Sequence, residues 1–231
     1  MSEDTYRFSN LLVVGGNSSI GGELILKAQR HYEFITATYR SQNVLNDTSV
    51  KWLELDVSKI KSIDKFLKSI LKQKFETIIY TIGVESNFNL QEISLRKIQN
   101  YFETHIINTS YLITKLIYNL NEKSNFIYLS SRASIFPSHD FCYAASKSAI
   151  SSLVVSLSKQ ATHEQGFYVV APGLIIGSGM YNRMQEKYIR SHRLRSGGKL
   201  LNVEQLASEI LSYNFSKFEN GSIIQIGPSY R

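Results

Sequence analysis

The chain has 231 residues, 43% of them hydrophobic, which suits one α/β domain with a substantial core. No apolar run approaches the roughly 18 residues needed to span a bilayer, and one cysteine, Cys142, excludes an internal disulfide framework. The net charge of +7 points to no nucleic-acid partner, because much of it lies on Lys59, Lys61, Lys65, Lys68 and Lys72, alternating with Ile60, Ile63, Phe66, Leu67 and Ile70 as the solvated face of an amphipathic helix.

The stretch Met1-Ser2-Glu3-Asp4-Thr5-Tyr6-Arg7 lacks a basic start and an apolar stretch, so the expectation is a soluble, cytoplasmic protein with no membrane partner. Leu11–Val14 reads as a short buried strand, followed by glycines and a helix from about Ile20 to Arg30. Phe34–Tyr39 and Val50–Leu55 read as the second and third strands, and the lysine-faced helix Ser58–Gln73 leads to a fourth, Thr77–Tyr80. Helical stretches near Leu90–Gln99 and Tyr101–Leu120 precede a fifth strand, Phe126–Leu129. A long helix from Tyr143 to about Glu164, a sixth strand at Phe167–Val170, a helix at Val203–Tyr213 and a strand at Ser222–Ile226 complete the pattern. Strands alternating with helices predict an α/β fold, a single Rossmann-like domain over 1–231 with a doubly wound parallel sheet of about seven strands and helices on both faces. In such a sheet the ligand lies at the carboxyl ends of the strands.

The segment Tyr143-Ala144-Ala145-Ser146-Lys147 carries the chemistry. Residues four apart share a helix face, and an ammonium beside a phenol lowers its pKa from about 10 toward neutrality. Such a tyrosine exchanges a proton with a substrate oxygen. The turn Gly15-Gly16-Asn17-Ser18-Ser19-Ile20-Gly21-Gly22 follows the first strand. Glycines there let backbone approach phosphate closely, and the helix amides favour its charge, which predicts a dinucleotide. At the end of the second strand an acid hydrogen-bonds the ribose of NAD, whereas an arginine accommodates the 2′-phosphate of NADP. Arg40 stands there, with no acid before Asp47, so NADP(H) is favoured over NAD(H). No His/Cys/Asp spacing resembles a metal site.

With the glycine turn, the Ser130-Ser131 pair and Tyr-x-x-x-Lys in this order, the chain resembles the short-chain dehydrogenase/reductase family over nearly its whole length. The resemblance implies a nicotinamide-dependent carbonyl/alcohol oxidoreductase acting on a small molecule. Tyr143 would be the general acid, and Lys147 would lower its pKa and hold the nicotinamide ribose. Ser131, twelve residues before the tyrosine, is preferred as the serine that holds the carbonyl, with Ser130, thirteen before it, as the alternative. Cofactor contacts would come from Gly15, Asn17, Ser18, Ser19, Ile20 and Gly21 at the turn, Asp56-Val57 beside adenine, and Gly83, Pro172 and Gly173 near the nicotinamide. Asp56 also reads as the N-cap of the following helix.

The chain departs from the family at Tyr80-Thr81-Ile82-Gly83, where only Gly83 is retained, and at the asparagine expected near 105. There His105 either substitutes as a proton relay, since histidine titrates near neutrality, or is simply buried. The basic segment 177–200 corresponds to the family's substrate lid, and Arg183, Arg190 and Arg193 there suit an anionic substrate, unless they only face water. The resemblance also implies a homodimer or homotetramer paired through the helices near 101–120 and 143–164. Two alternatives are a catalytically weakened nucleotide-binding or regulatory module, and a sugar-modifying epimerase or dehydratase.

Overall fold

The computed structural model describes residues 8–41, 48–162 and 164–228. The Met1–Arg7 reading, Asp47 and His163 lie outside the described residues. In chain order the elements are β1 (Phe8–Val14), α1 (Ser19–Ala28), β2 (Tyr32–Tyr39), β3 (Val50–Glu54), α2 (Ile60–Ser69), β4 (Phe75–Tyr80), α3 (Leu95–Phe102), α4 (Thr109–Leu116), β5 (Leu120–Leu129), α5 (Phe141–Leu157), β6 (Gln165–Pro172), α6 (Gly179–Arg183), α7 (Glu186–Arg195), α8 (Val203–Ser212) and β7 (Ile223–Ile226). The strands form one seven-stranded sheet, ordered β3-β2-β1-β4-β5-β6-β7, with parallel pairing throughout.

Successive side chains of a strand point to opposite faces, and β1 shows the consequence. Leu11 and Val13 pack with Leu24 and Ile25 of α1 and Leu206, Ala207 and Ile210 of α8. Leu12 and Val14 pack on the other face with Ile63 and Phe66 of α2, Leu112, Ile113 and Leu116 of α4, and Ile150 and Val154 of α5. All four β1 residues are 0% exposed, which is why the run is continuously apolar rather than alternating. The chain winds one way from β1 to β3 and the other way from β4 to β7, so the reversal, where ligands bind, falls between β1 and β4.

Two predicted helices differ. The stretch expected as one helix from Tyr101 to Leu120 is α3, a π-helical turn over Glu103–Asn108, then α4 and a final 3-10 turn. The wide turn lets the Asn108 side chain, 7% exposed, donate to the Val57 carbonyl at 3.0 Å. That bond ties the helix to the loop between β3 and α2, and apolar periodicity carries no trace of it. The lysine-faced helix is capped by Lys59, not by Asp56. The Asp56 carboxylate instead accepts from the Ser58 amide at 3.1 Å and the Ser58 hydroxyl at 2.7 Å.

Leu12→Ala should lower stability by about 3 kcal/mol, because the side chain contacts a closed core and leaves a cavity. Thermal unfolding should show a Tm loss of roughly 10 °C; a loss under about 2 °C would mean this face is not close-packed.

Candidate active site

At the switch point the glycine turn is shaped by contact. Gly15 has φ +93°, and a Cβ there would meet the Thr81 hydroxyl at 2.6 Å. A Cβ on Gly21 would lie 2.2 Å from the Gly15 carbonyl oxygen, so the first turn of α1 sits directly on the loop. The Gly15 amide donates to Thr38 Oγ1 at 2.8 Å, and Thr81 Oγ1 donates to the Val14 carbonyl at 2.9 Å. Thr81, where the family's asparagine was expected, thus stitches β4 to the turn. Ser18 caps α1, its Oγ accepting from the Gly21 amide at 3.0 Å. Asn17 donates its amide to the Thr38 carbonyl at 3.3 Å, and Ser19 and Ile20 begin α1. Arg40 is exposed at the end of β2, and Asp56 is half-buried at the end of β3, with Val57 buried beside it. Pro172 closes β6 and Gly173 follows it, at the same carboxyl edge of the sheet.

Two strands away, α5 starts at Asp140, whose carboxylate accepts from the Tyr143 amide at 3.0 Å. One turn on, Lys147 is 4% exposed and Tyr143 8% exposed. Lys147 Nζ donates to the carbonyls of Leu129 (2.8 Å) and Ile82 (3.4 Å), at the ends of β5 and β4. It lies 4.8 Å from the Tyr128 ring centre and 5.9 Å from that of Tyr143. A Cβ on Gly83 would stand 2.5 Å from this Nζ, so any side chain there would make the end of the lysine shift.

The structure separates the two serines. Ser131 is near enough to the Tyr143 phenol to oppose the rise in its pKa, and its Oγ accepts from the Ala133 amide at 3.2 Å. Ser130 is 4% exposed and bonds Ser151 Oγ at 2.7 Å, inside the packing of α5 on β5.

The charges differ from the simple sequence argument. Burial pushes the Tyr143 phenol up to about 12, Ser131 opposes this, and the Glu85 and Asp140 carboxylates add to it. Burial pushes the Lys147 ammonium down to about 7. Desolvation disfavours both charges, so in this structure the lysine does not acidify the tyrosine. His105 lies on the π-helical turn, stacked on Tyr101 at 4.4 Å between ring centres. Burial, then Lys147, pushes it down to about 4, so it is neutral at pH 7 rather than titrating there. Cys142 is buried, with its thiol pushed up by burial and by Asp140.

Of loop 83–87, only Gly83 was singled out in the sequence. Glu85 is paired in a fork with Arg183 of α6, at 2.6 Å to Nε and 3.0 Å to Nη2. Asp140 accepts from the Ser86 amide (2.6 Å), the Ser86 hydroxyl and the Asn87 amide (3.0 Å). An aspartate three residues before Tyr143 was a readable cap signal; nothing local marked Glu85. Arg183 is therefore engaged rather than open to a substrate. Arg190 is exposed on α7. Arg193 donates to the Tyr181 hydroxyl at 3.0 Å and, with Ile176, Lys199, Leu201, Gln205 and Pro228, lines an open cavity of about 550 Å³. Among the described residues no His/Cys/Asp/Glu group could hold a metal, and no helix is long and apolar enough to cross a membrane.

A doubly wound sheet with a glycine turn at its switch point and a Tyr-Lys pair at the carboxyl ends of its strands defines a Rossmann-like nucleotide-binding protein. The short chain dehydrogenase family model matches residues 9–188, and the chain belongs to that family of oxidoreductases. Among solved structures, a short-chain dehydrogenase family protein from Francisella tularensis superposes with a TM-score of 0.80 at 19% identity, covering 95% of this chain and 97% of that one. A Leptospira borgpetersenii short chain dehydrogenase with bound NAD+ gives 0.82 at 16%, covering 97% and 93%. BdcA in complex with NADPH gives 0.79 at 16%, covering 98% and 96%. No curated protein matches the sequence.

The buried lysine makes stability depend on pH. Lys147 keeps its proton to about 10.5 when unfolded and to about 7 when folded. Below 7 its burial opposes folding in full, and the penalty fades as pH rises toward 10.5, where the unfolded chain also releases its proton. The difference in Tm between Lys147→Met and wild type, without nucleotide, should therefore shrink between pH 6.5 and 9.5. A constant difference would mean the amine is solvated.

Proposed function

We propose that the protein is an NADP-dependent reductase of a small carbonyl compound, with Tyr143 as general acid and Ser131 and Lys147 completing the site. The carrying observation is the convergence of Ser131, Tyr143 and Lys147 at the carboxyl ends of β4 and β5, with Lys147 held against Gly83. The residues fit a nicotinamide dinucleotide: a capped helix N-terminus at Ser18 over a glycine turn suits its pyrophosphate. Gly15, Asn17, Ser18, Ser19, Ile20 and Gly21 would hold that group, Asp56-Val57 the adenine, and Gly83, Pro172 and Gly173 the nicotinamide side.

The bound cofactor supplies the hydride; the chain supplies orientation, a proton and electrostatics. A phenol pushed up to about 12 is protonated at pH 7, the form that donates to a carbonyl oxygen, which supports reduction as the working direction. Ser131 shares the phenol's hydrogen bond and would polarise the same oxygen. As the proton leaves Tyr143, the neighbouring amine is favoured as ammonium and stabilises the phenolate. His105, close enough to Lys147 to feel its charge, would return the proton as a neutral relay. Arg40 is the reading's choice for the 2′-phosphate. With Arg183 engaged, Arg193 and the exposed Arg190 are left as contacts for an anionic substrate group. A homodimer or homotetramer is proposed through the helices near 101–120 and 143–164, where Ile107 on the π-helical turn before α4 and Tyr118 on the 3-10 turn after it are 63% and 73% exposed.

Incubation of the protein and NADPH with a panel of carbonyl compounds tests the whole reading. Net NADPH oxidation is expected; turnover without it would indicate an epimerase or dehydratase, and no turnover a binding module. Within an active pair, Ser131→Ala should lower kcat by roughly 100-fold, as loss of a polarising donor does. Ser130→Ala should leave kcat within a few-fold and lower Tm modestly, since it removes one buried hydrogen bond while Ser151 keeps its own to the Lys147 carbonyl; the reverse ranking would move the role to Ser130. Separately, Arg40→Asp should weaken NADPH by more than about tenfold, in line with loss of a charge-assisted fork, while NADH is little affected. Equal NADPH affinity in both proteins would refute the assignment of Arg40.

A further inference from the structure

The fork between Glu85 and Arg183 joins segments 98 residues apart: the loop after β4 and the short helix α6 of the lid segment. Glu85 has only 9% of its side chain exposed, whereas Arg183 has 57%. The carboxylate thus belongs to the site and the guanidinium reaches in from outside. Room for it is made by Gly179, where a Cβ would lie 3.1 Å from Arg183 Nη1. From the other side, Asp140 holds the same loop through Ser86 and Asn87 and simultaneously caps the helix bearing Tyr143. Asn87 takes φ 53°, which bends the loop between its two attachments. The Asp140 attachment lies within the body of the fold; the Arg183 attachment depends on where the lid is.

We propose that the Glu85–Arg183 pair is a latch that makes the chemistry of the Tyr143 site conditional on lid closure, with Arg183 a positioning residue. This rests on the reading of Tyr143 as the proton donor. When the lid is down, Arg183 engages both carboxylate oxygens and compensates a charge that the phenol feels. When the lid lifts, a nearly buried carboxylate is left without its cation, and a like charge nearby disfavours the phenolate that reduction leaves behind. Proton donation is then favoured only in the closed state, where water is excluded. The groups facing Tyr143 are Ser131, Glu85 and Asp140, with Lys147 and Cys142 on its own helix, Tyr101 from α3 and Tyr128 from β5. His105 faces Lys147 from the π-helical turn. Of the cations the lid carries, Arg183 is the one joined to this set by a direct bond.

Two measurements on Arg183→Met, Glu85→Gln and the double variant test it. The first, hydrogen exchange of amides 179–195, needs no activity and so stands even if the catalytic reading fails. Exchange should rise roughly fivefold or more in both single variants and no further in the double, as expected of one shared interaction. The second is the pH dependence of alcohol oxidation with NADP. The apparent pKa governing kcat/KM should rise by about one pH unit in Arg183→Met, where Glu85 is left uncompensated. It should return to the wild-type value or below in the double variant, which removes that charge. Unchanged exchange in Arg183→Met overturns the latch. A pKa that stays raised in the double variant overturns the coupling, and a KM rise with both the pKa and exchange unchanged would make Arg183 a substrate contact instead.

Discussion

The site depends on one buried ammonium. Lys147 enters the protein without a carboxylate in its hydrogen bonds, and is held by the main-chain carbonyls of Leu129 and Ile82 and by the face of Tyr128. Those carbonyls are available because parallel strands β4 and β5 end side by side, leaving acceptors that no further strand pairing uses. The arrangement is helped by Gly83, since a Cβ there would push the end of the lysine out of this position. It also places Tyr143, one helical turn earlier, at the same edge of the sheet. Sheet topology, helix register and one glycine thus converge on a single cation whose own burial opposes its charge.

That opposition sets the state in which the site waits. Both halves of the Tyr-Lys pair are pushed toward neutrality by the same desolvation, the phenol upward and the amine downward. In this structure the phenol therefore holds its proton tightly, and the amine gives its proton up more readily than an exposed lysine would. The surrounding carboxylates reinforce the bias, and each has a structural duty as well. Asp140 caps α5 and pins loop 83–87; Glu85 binds the lid. Charge and architecture are therefore carried by the same residues: the two carboxylates that raise the proton affinity of the phenol also tie loop 83–87 to α5 and α6.

The order of elements was legible because the central strands are buried on both faces and the helices that cover them on one. Leu11–Val14 and the lysine-faced helix announced themselves by periodicity alone. What failed was local: the helix through 101–120 widens into a π turn so that Asn108 can reach the Val57 carbonyl, a bond between residues 51 apart that no local pattern encodes. The same holds for Asp56, which lies near enough to α2 to look like its cap but spends its carboxylate on Ser58.

Sequence alone determined the family, the doubly wound sheet and the identities at its carboxyl edge, because glycine turns and helix spacing are short-range constraints written in consecutive residues. Tertiary structure decided that Ser130 is buried against Ser151, which way burial moves the two proton affinities, and that Arg183 is joined to Glu85. Each of these is a matter of distance and desolvation between groups far apart in the chain, and neither quantity exists until the sheet has brought them together.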